Sequence, residues 1–199
     1  MARLPILQEP SPLLRKRAKE VPFREIASPL IQKLIRDMTE TLRHTELGIG
    51  IAAPQVGRLL RIFLISEEAL RKKPQKENPL QGEAEKKDSG EQKQFSYLVF
   101  INPEMKKSSK KKNILTEGCL SVNNPRGDLI YGKIARSEKV AVQAYDETGK
   151  KFTRGASRLL AQVIQHEMDH LDGILFIDKA EDLVLRKQER KPPPLASRT

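Results

Sequence analysis

Gln165-His166-Glu167-Met168-Asp169-His170-Leu171-Asp172-Gly173 is the stretch around which the rest of the chain can be arranged. Residues i and i+4 of an α-helix lie on one face, a turn apart. His166 and His170 can therefore grip a single metal ion, and Glu167, beside the first of them, can reach a water on that ion as general base. Upstream, Leu159, Leu160, Val163 and Ile164 keep helical spacing from Ser157 onward and Leu171 continues it, which predicts an amphipathic helix carrying the pair. Histidines at this spacing also occur as ordinary helix residues. Polar Gln165 and Asp169, interleaved with the apolar stripe, favour a site.

A catalytic tetrahedral metal needs a third protein ligand and an open position. The chain holds three His and one Cys, so few residues qualify. A free cysteine is usually a small buried hydrophobe. Cys119, however, follows Gly118, which lets a backbone pass close to another group, and Glu117 and Ser121 add polarity at what reads as a strand end. His44 competes, but it sits where a helix ends, and there an imidazolium simply complements the dipole. A Cys119/His166/His170 set with one open position suits a first-row divalent ion and catalysis better than a closed structural site.

Gly48-Ile49-Gly50-Ile51-Ala52-Ala53-Pro54-Gln55 is the second concentrated signal. It fails as a dinucleotide fingerprint, since no strand precedes it and no third glycine follows at the required offset. It fails as a phosphate loop for want of Gly-Lys-Ser/Thr. What it offers is close backbone approach, an edge for a peptide to pair with, and the Gln55 amide as a donor to an oxyanion. A tight helix-to-strand connection is the plainer reading of the same residues.

Around these signals the chain reads as α+β, with short antiparallel strands packed around a central metal-binding helix and an N-terminal helix. Four prolines in residues 1–27 predict an extended arm that wraps the body. Ser28-Pro29 reads as an N-cap and first helical residue, followed by Leu30, Ile31, Leu34, Ile35, Met38 and Leu42 at helical spacing to about Glu46. Ile62–Ile65 and Tyr97–Ile101 read as strands, the second stopping at Asn102-Pro103, and the lysine-rich segment returns as an exposed strand towards Glu117. Val140, Val142 and Ala144 alternate along another strand, Asp146–Gly149 makes its hairpin turn, and Phe152 lies on the return. The expected organisation is one catalytic domain over 1–185, a charged insertion at 67–94, and a basic, proline-containing tail at 186–199.

Of 199 residues, 32% are charged and 38% hydrophobic, and the net charge is +11. Lys106, Lys107, Lys110, Lys111 and Lys112 stand without an acid between 105 and 116; the tail sets five Lys and Arg against Glu189. Such clusters can follow a phosphate backbone, and lysines equally protect strand edges. A solvated strand edge and a frayed tail are the plainer reading; a nucleic-acid contact, such as one with the ribosome, would be a device of location, with no DNA partner and no membrane partner. No apolar run approaches the ~18–20 residues of a membrane span, and Leu4–Leu7 is too short for a secretory core. Arg15-Lys16-Arg17 hints at an organellar leader, which Glu9, Glu20 and Glu25 oppose. The lone cysteine excludes an internal disulfide and suits a reducing compartment, so the cytoplasm is expected.

Together the three segments resemble the peptide deformylases. Gly48–Gln55 (Gly-x-Gly-x-Ala-Ala-x-Gln), Glu117–Ser121 (Glu-Gly-Cys-Leu-Ser) and Gln165–His170 (Gln-His-Glu-x-Asp-His) stand in that family's order, and the similarity runs from about residue 4 to residue 180. The resemblance implies removal of the formyl group from the N-terminal formyl-methionine of nascent proteins. It implies Cys119, His166 and His170 on the metal, Fe(II) in the cell with Zn, Ni or Co as replacements. Glu167 becomes the proton shuttle, and Gln55 and the Leu120 backbone N–H become oxyanion donors. Gly48 and Gly50 lie on the substrate's path, with Ile49, Leu159 and Val163 as methionine-pocket wall. A supporting Glu117–Arg136 ion pair is also expected. After Val122 the family often continues with proline; here Asn123-Asn124-Pro125-Arg126 takes its place in a longer connection.

Two rivals remain. A His-Glu-x-x-His metallopeptidase usually draws its third ligand from His or Glu, which the Glu-Gly-Cys context disfavours. A non-catalytic RNA- or ribosome-binding module with a structural metal explains the basic clusters and leaves Glu167 and Gln55 without work.

Overall fold

The structure of the chain, a computed structural model, describes residues 1–45, 48–71, 96–124 and 127–186. In chain order its regular elements are α1 (Pro29–Arg43), β1 (Gly50–Ala52), β2 (Ile62–Ser66), α2 (Glu67–Arg71), β3 (Tyr97–Ser108), β4 (Lys112–Asn123), β5 (Leu129–Ser137), β6 (Lys139–Tyr145), β7 (Lys151–Ser157), α3 (Arg158–Leu171) and β8 (Glu181–Arg186). The strands form an antiparallel sheet in the order β1-β2-β3-β6-β7 and a second in the order β4-β5-β8. Helix α3 touches β1, β2, β6 and β7 of the first sheet and β5 of the second, so it is central, as its amphipathic pattern demands. The architecture is α+β.

The large sheet is covered on both faces, which explains why β2 is an unbroken apolar run. Ile62 and Leu64 join Ile31, Ile35, Met38 and Leu42 of α1 in one core. Phe63 and Ile65 join Ala161, Val163 and Ile164 of α3 in another. Ser28 caps α1, its Oγ accepting the Ile31 N–H at 3.4 Å, and Pro29 fills the first helical position, where no intrahelical partner is lost. Leu30, grouped with the buried stripe on spacing, is instead 73% exposed. His44 follows as the C-cap residue; Glu46, the expected helix end, lies outside the described residues.

Strand β3 corrects the sequence reading. Rather than stopping at Asn102-Pro103 it runs on to Ser108, with a register shift between Ile101 and Glu104. Asn102 adopts φ 50°, a left-handed conformation that asparagine tolerates better than most residues. Its side chain secures the kink: Oδ1 accepts the Val21 N–H and Nδ2 donates to the Val21 carbonyl, both at 2.8 Å. The residues that read as a stop are a bulge, which bends the strand without ending it. The lysines therefore crowd the far end of β3 and the start of β4.

Elsewhere the pattern and the structure agree. Val140, Val142 and Ala144 of β6 are buried, and Asp146 Oδ1 closes the turn to β7 by accepting the Thr148 and Lys150 N–H groups at 2.9 Å. The stretch taken as an insertion begins in structure, Glu67–Arg71 forming α2 directly after β2; residues 72–95 lie outside the described residues. Strand β8 is an addition that the sequence reading did not foresee, and the tail beyond it, 187–199, lies outside them too. The N-terminal arm does wrap the body. Leu4 N–H reaches Thr41 Oγ1 at 2.8 Å, Ala18 N–H the Leu171 carbonyl at 2.8 Å and Lys19 N–H the Leu59 carbonyl at 3.0 Å. Among the described residues no helix is long and apolar enough to cross a membrane.

The sheet's inner face turns on Phe100, fully buried, stacked on Phe63 at 4.5 Å between ring centroids and tilted against Phe152 at 5.4 Å. Phe100→Ala should lower unfolding stability by ~3–5 kcal/mol through the cavity it leaves. Denaturant titration should show this as a lower midpoint at unchanged slope.

Candidate metal centre

Two elements build the centre. Helix α3 carries His166 and His170 one turn apart, their rings edge to face with centroids 4.9 Å apart. Strand β4 brings Cys119, whose Sγ lies 3.1 Å from His170 Nε2. The donor atoms of Cys119, His166 and His170 all lie within 4.8 Å of one another. Metal bonds of ~2.0–2.3 Å at tetrahedral angles need donors ~3.3–3.8 Å apart, so small side-chain adjustments close this set on one ion. Two imidazoles and a thiolate suit a first-row divalent metal. His44 stays apart, its Nδ1 held by the Glu40 carbonyl at 2.9 Å.

Behind the donors stands a buried ionic frame. Glu117 Oε2 lies 3.0 Å from His166 Nδ1, which turns the other ring nitrogen towards the thiol. Arg136 of β5 donates to both Glu117 oxygens at 2.8 Å and to Asp169 Oδ2 at 2.6 Å; Lys179 closes the chain on Asp169 Oδ1 at 2.7 Å. The expected Glu117–Arg136 pair is therefore present, and it is bidentate. Lys179, which completes it, escaped the sequence reading, and Asp169 stood there only as a polar residue within the stripe. Asp169 lies three residues beyond His166 on the same helix face, a spacing that could have flagged it.

This frame sets the charges. Burial opposes ionisation of Glu117, but hydrogen bonds from Arg136 and His166 outweigh it and hold its pKa at about 2. Burial alone would discharge His166; the Cys119 and Glu117 contacts overcome that and raise its pKa. His170 goes the other way, lowered by burial and then by the charges of His166 and Arg136. For Glu167 burial outweighs the opposing charges of His166 and Arg136 and pushes its pKa up to about 7. A carboxylate poised there can take or give a proton near neutrality.

Glu167 is 3% exposed, and its Oε2 is buried with no hydrogen-bond partner among the described residues. Its carboxylate lies against Gly50, where an added Cβ would collide with Oε1 and come within 2.9 Å of Cδ. That contact explains a glycine in β1. Gln55, on the 3-10 turn after β1, is anchored through Oε1, which accepts the Ala52 N–H at 2.8 Å. Its Nε2 faces Ser121 Oγ at 3.1 Å and Cys119 Sγ at 3.6 Å.

One cleft of about 260 Å³ gathers nearly all the residues singled out from the sequence: Gly48, Ile49, Gly50, Gln55, Cys119, Leu120, Leu159, Val163, His166 and Glu167. His170 lies beneath it at 1% exposure. Thr116, Leu129, Tyr131 and Gln162 also line the cleft and were missed. Gln162 was within reach of the pattern, since 159, 162, 163 and 166 share one helix face.

Glu117→Gln would keep the shape of the frame but remove its charge from His166 and Arg136. Metal affinity should fall ~10–100-fold, measured by competition with a chromophoric chelator.

Comparison with known proteins agrees with this geometry. Residues 3–186 match the family model for polypeptide deformylase. The chain is 37% identical over 193 residues to peptide deformylase 1A, chloroplastic/mitochondrial, of Arabidopsis thaliana, covering 96% of this chain and 66% of that protein, just under two thirds of its length. It is 36% identical over 185 residues to the peptide deformylase of Christiangramia forsetii, covering 92% of this chain and 84% of the relative. The crystal structure of the Thermotoga maritima peptide deformylase superposes with a TM-score of 0.70 at 28% identity, over 92% of this chain and all of the other. The family implies a divalent metal, and the three donors that would hold it stand together here. On its motifs, its fold and these matches, the chain belongs to the polypeptide deformylase family.

Proposed function

We propose that this chain hydrolyses the N-formyl group of formyl-methionyl peptides, releasing formate and a free amino terminus. The observation that carries the reading is the Glu167 carboxylate, whose Oε2 has no partner among the described residues, at the wall of a cleft that Cys119 and His166 also line. Cys119, His166 and His170 would hold the metal. When bound, a divalent ion supplies Lewis acidity there, acidifying water and polarising the formyl carbonyl. Glu167 takes the proton from the attacking water and delivers it to the amine nitrogen as the carbon–nitrogen bond breaks. Gln55 Nε2 and the Leu120 N–H donate to the oxygen that gains charge.

Substrate binding follows from the edge of the large sheet. β1 ends that sheet's strand order, so the backbone around Gly50 is free to take an extended peptide as an added strand. Gly48 keeps the approach open, and Ile49, Leu159 and Val163 make an apolar wall suited to a methionine side chain. Fe(II) is the metal we assign for the cell, with Zn, Ni or Co as replacements; thiolate and imidazole donors accept all four. The metallopeptidase alternative is disfavoured by the cysteine donor, and a purely structural metal leaves Glu167 buried, raised in pKa and idle. The lone cysteine supports the cytoplasm as compartment, while the plant relative's organellar label keeps a plastid or mitochondrion as the alternative.

Glu167→Ala should retain its metal yet lose at least ~10²-fold in deformylation, measured as formate release from a formyl-Met peptide beside metal analysis of the same sample. Undiminished turnover would overturn the mechanism; cleavage of internal peptide bonds instead would favour the metallopeptidase.

Lys107, Lys110 and Lys112 are exposed around the β3–β4 turn, and we assign a ribosome contact to this basic cluster; the basic tail beyond Arg186 lies outside the described residues. Replacing these three lysines with Ser should weaken co-sedimentation with ribosomes and flatten its dependence on salt, with peptide deformylation in solution unchanged.

A further inference from the structure

The N-terminal arm crosses behind the centre, and three consecutive residues touch both segments that carry the proposed oxyanion donors. Leu7 N–H donates to the Gln55 carbonyl at 2.8 Å, and Glu9 N–H to the Ser121 carbonyl at 2.9 Å. Between them, Gln8 Nε2 donates to the Leu120 carbonyl at 3.0 Å and more weakly to its neighbour Ile6 at 3.3 Å. The Leu120 carbonyl shares a rigid peptide plane with the Ser121 N–H. That N–H points at Cys119 Sγ, 3.4 Å away. Gln8 thus grips one end of an amide whose other end rests on the metal-binding sulfur, and a donor at the carbonyl polarises the N–H opposite it.

The sheet does not hold this peptide by itself. Register between β4 and β5 runs to Gly118 and resumes only at Asn123. Gln8 also fits stability poorly, because its Oε1 is buried with no partner among the described residues. Such an orphan costs ~1–3 kcal/mol, which an apolar side chain at this position would avoid. We infer that Gln8 is a positioning residue, holding the Leu120–Ser121 peptide so that the Cys119 sulfur receives the Ser121 N–H and the adjoining Leu120 N–H is presented to the cleft. The inference rests on the deformylase reading for the roles of Cys119 and Leu120.

Gln8→Met, of similar length without the amide, tests it in the full metal-loaded chain. The expected result is a fall in kcat of about tenfold, as for one lost hydrogen bond, with KM unchanged and the unfolding midpoint equal or higher. In zinc-loaded, 15N-labelled protein the Ser121 amide proton should move upfield. Unchanged kcat or an unmoved Ser121 amide overturns the inference. So does a lowered unfolding midpoint, which would make Gln8 a structural residue. An inactive parent chain would instead overturn the deformylase reading, and the Ser121 amide would still report on Gln8.

Discussion

Arg136 carries a permanent positive charge at 4% exposure, and the rest of the centre depends on how that charge is met. Its guanidinium reaches Glu117 on the neighbouring strand through two parallel bonds and Asp169 on α3 through a third. Burying such a triad gives little net stability, but removing one member strands a charge and costs ~3–5 kcal/mol. The triad therefore acts on arrangement. Glu117 and Arg136 meet only in one register of the β4–β5 hairpin, and Asp169 meets them only if α3 docks at one height and rotation. Those same settings deliver Cys119 and His166 to each other.

The second constraint is that α3 serves two sheets. Its apolar side, Ala161, Val163 and Ile164, packs on the large sheet, while His166, Asp169 and His170 turn towards the small one. An amphipathic helix normally gives its polar side to water. Here that side is covered by β4 and β5, so its polar groups need partners or must remain unmet. Most are met: Gln165 bonds Ser137 in both directions at 3.0 Å, and Gln162 bonds the Thr116 carbonyl at 3.0 Å.

What the sequence made legible follows the same division. Periodicity exposed α1, α3 and β6, because each buries one face and the spacing records it. The clustering of Cys119, His166 and His170 was legible because the two histidines are local, and because a single cysteine leaves no competition of its type. Partition into two sheets was not legible. β5 ends at Ser137 and β6 begins at Lys139, yet they lie in different sheets, and alternation along a strand says which side is buried without naming the strand beside it. Asn102-Pro103 misled for a related reason, since the residues that break a strand also bulge one, and only Val21, far off in sequence, decides between the two. Gln8 gave no signal at all, standing alone among prolines in an arm without periodicity.

Satisfaction of polar groups also separates frame from working parts. Both oxygens of Glu117 and both oxygens of Asp169 are engaged. By contrast, the buried side-chain atoms without partners among the described residues are Glu167 Oε2, His170 Nδ1, Gln8 Oε1 and Glu9 Oε2. All four belong to the centre or to the arm that crosses it. A fold shaped by stability alone would pair or replace such atoms. Their confinement to one place means that burial has been kept there in spite of its cost. For Glu167 the return is a carboxyl that burial holds near pH 7 instead of below it. The satisfied frame supplies rigidity, and beside it Glu167 is left a carboxyl able to exchange a proton near neutrality.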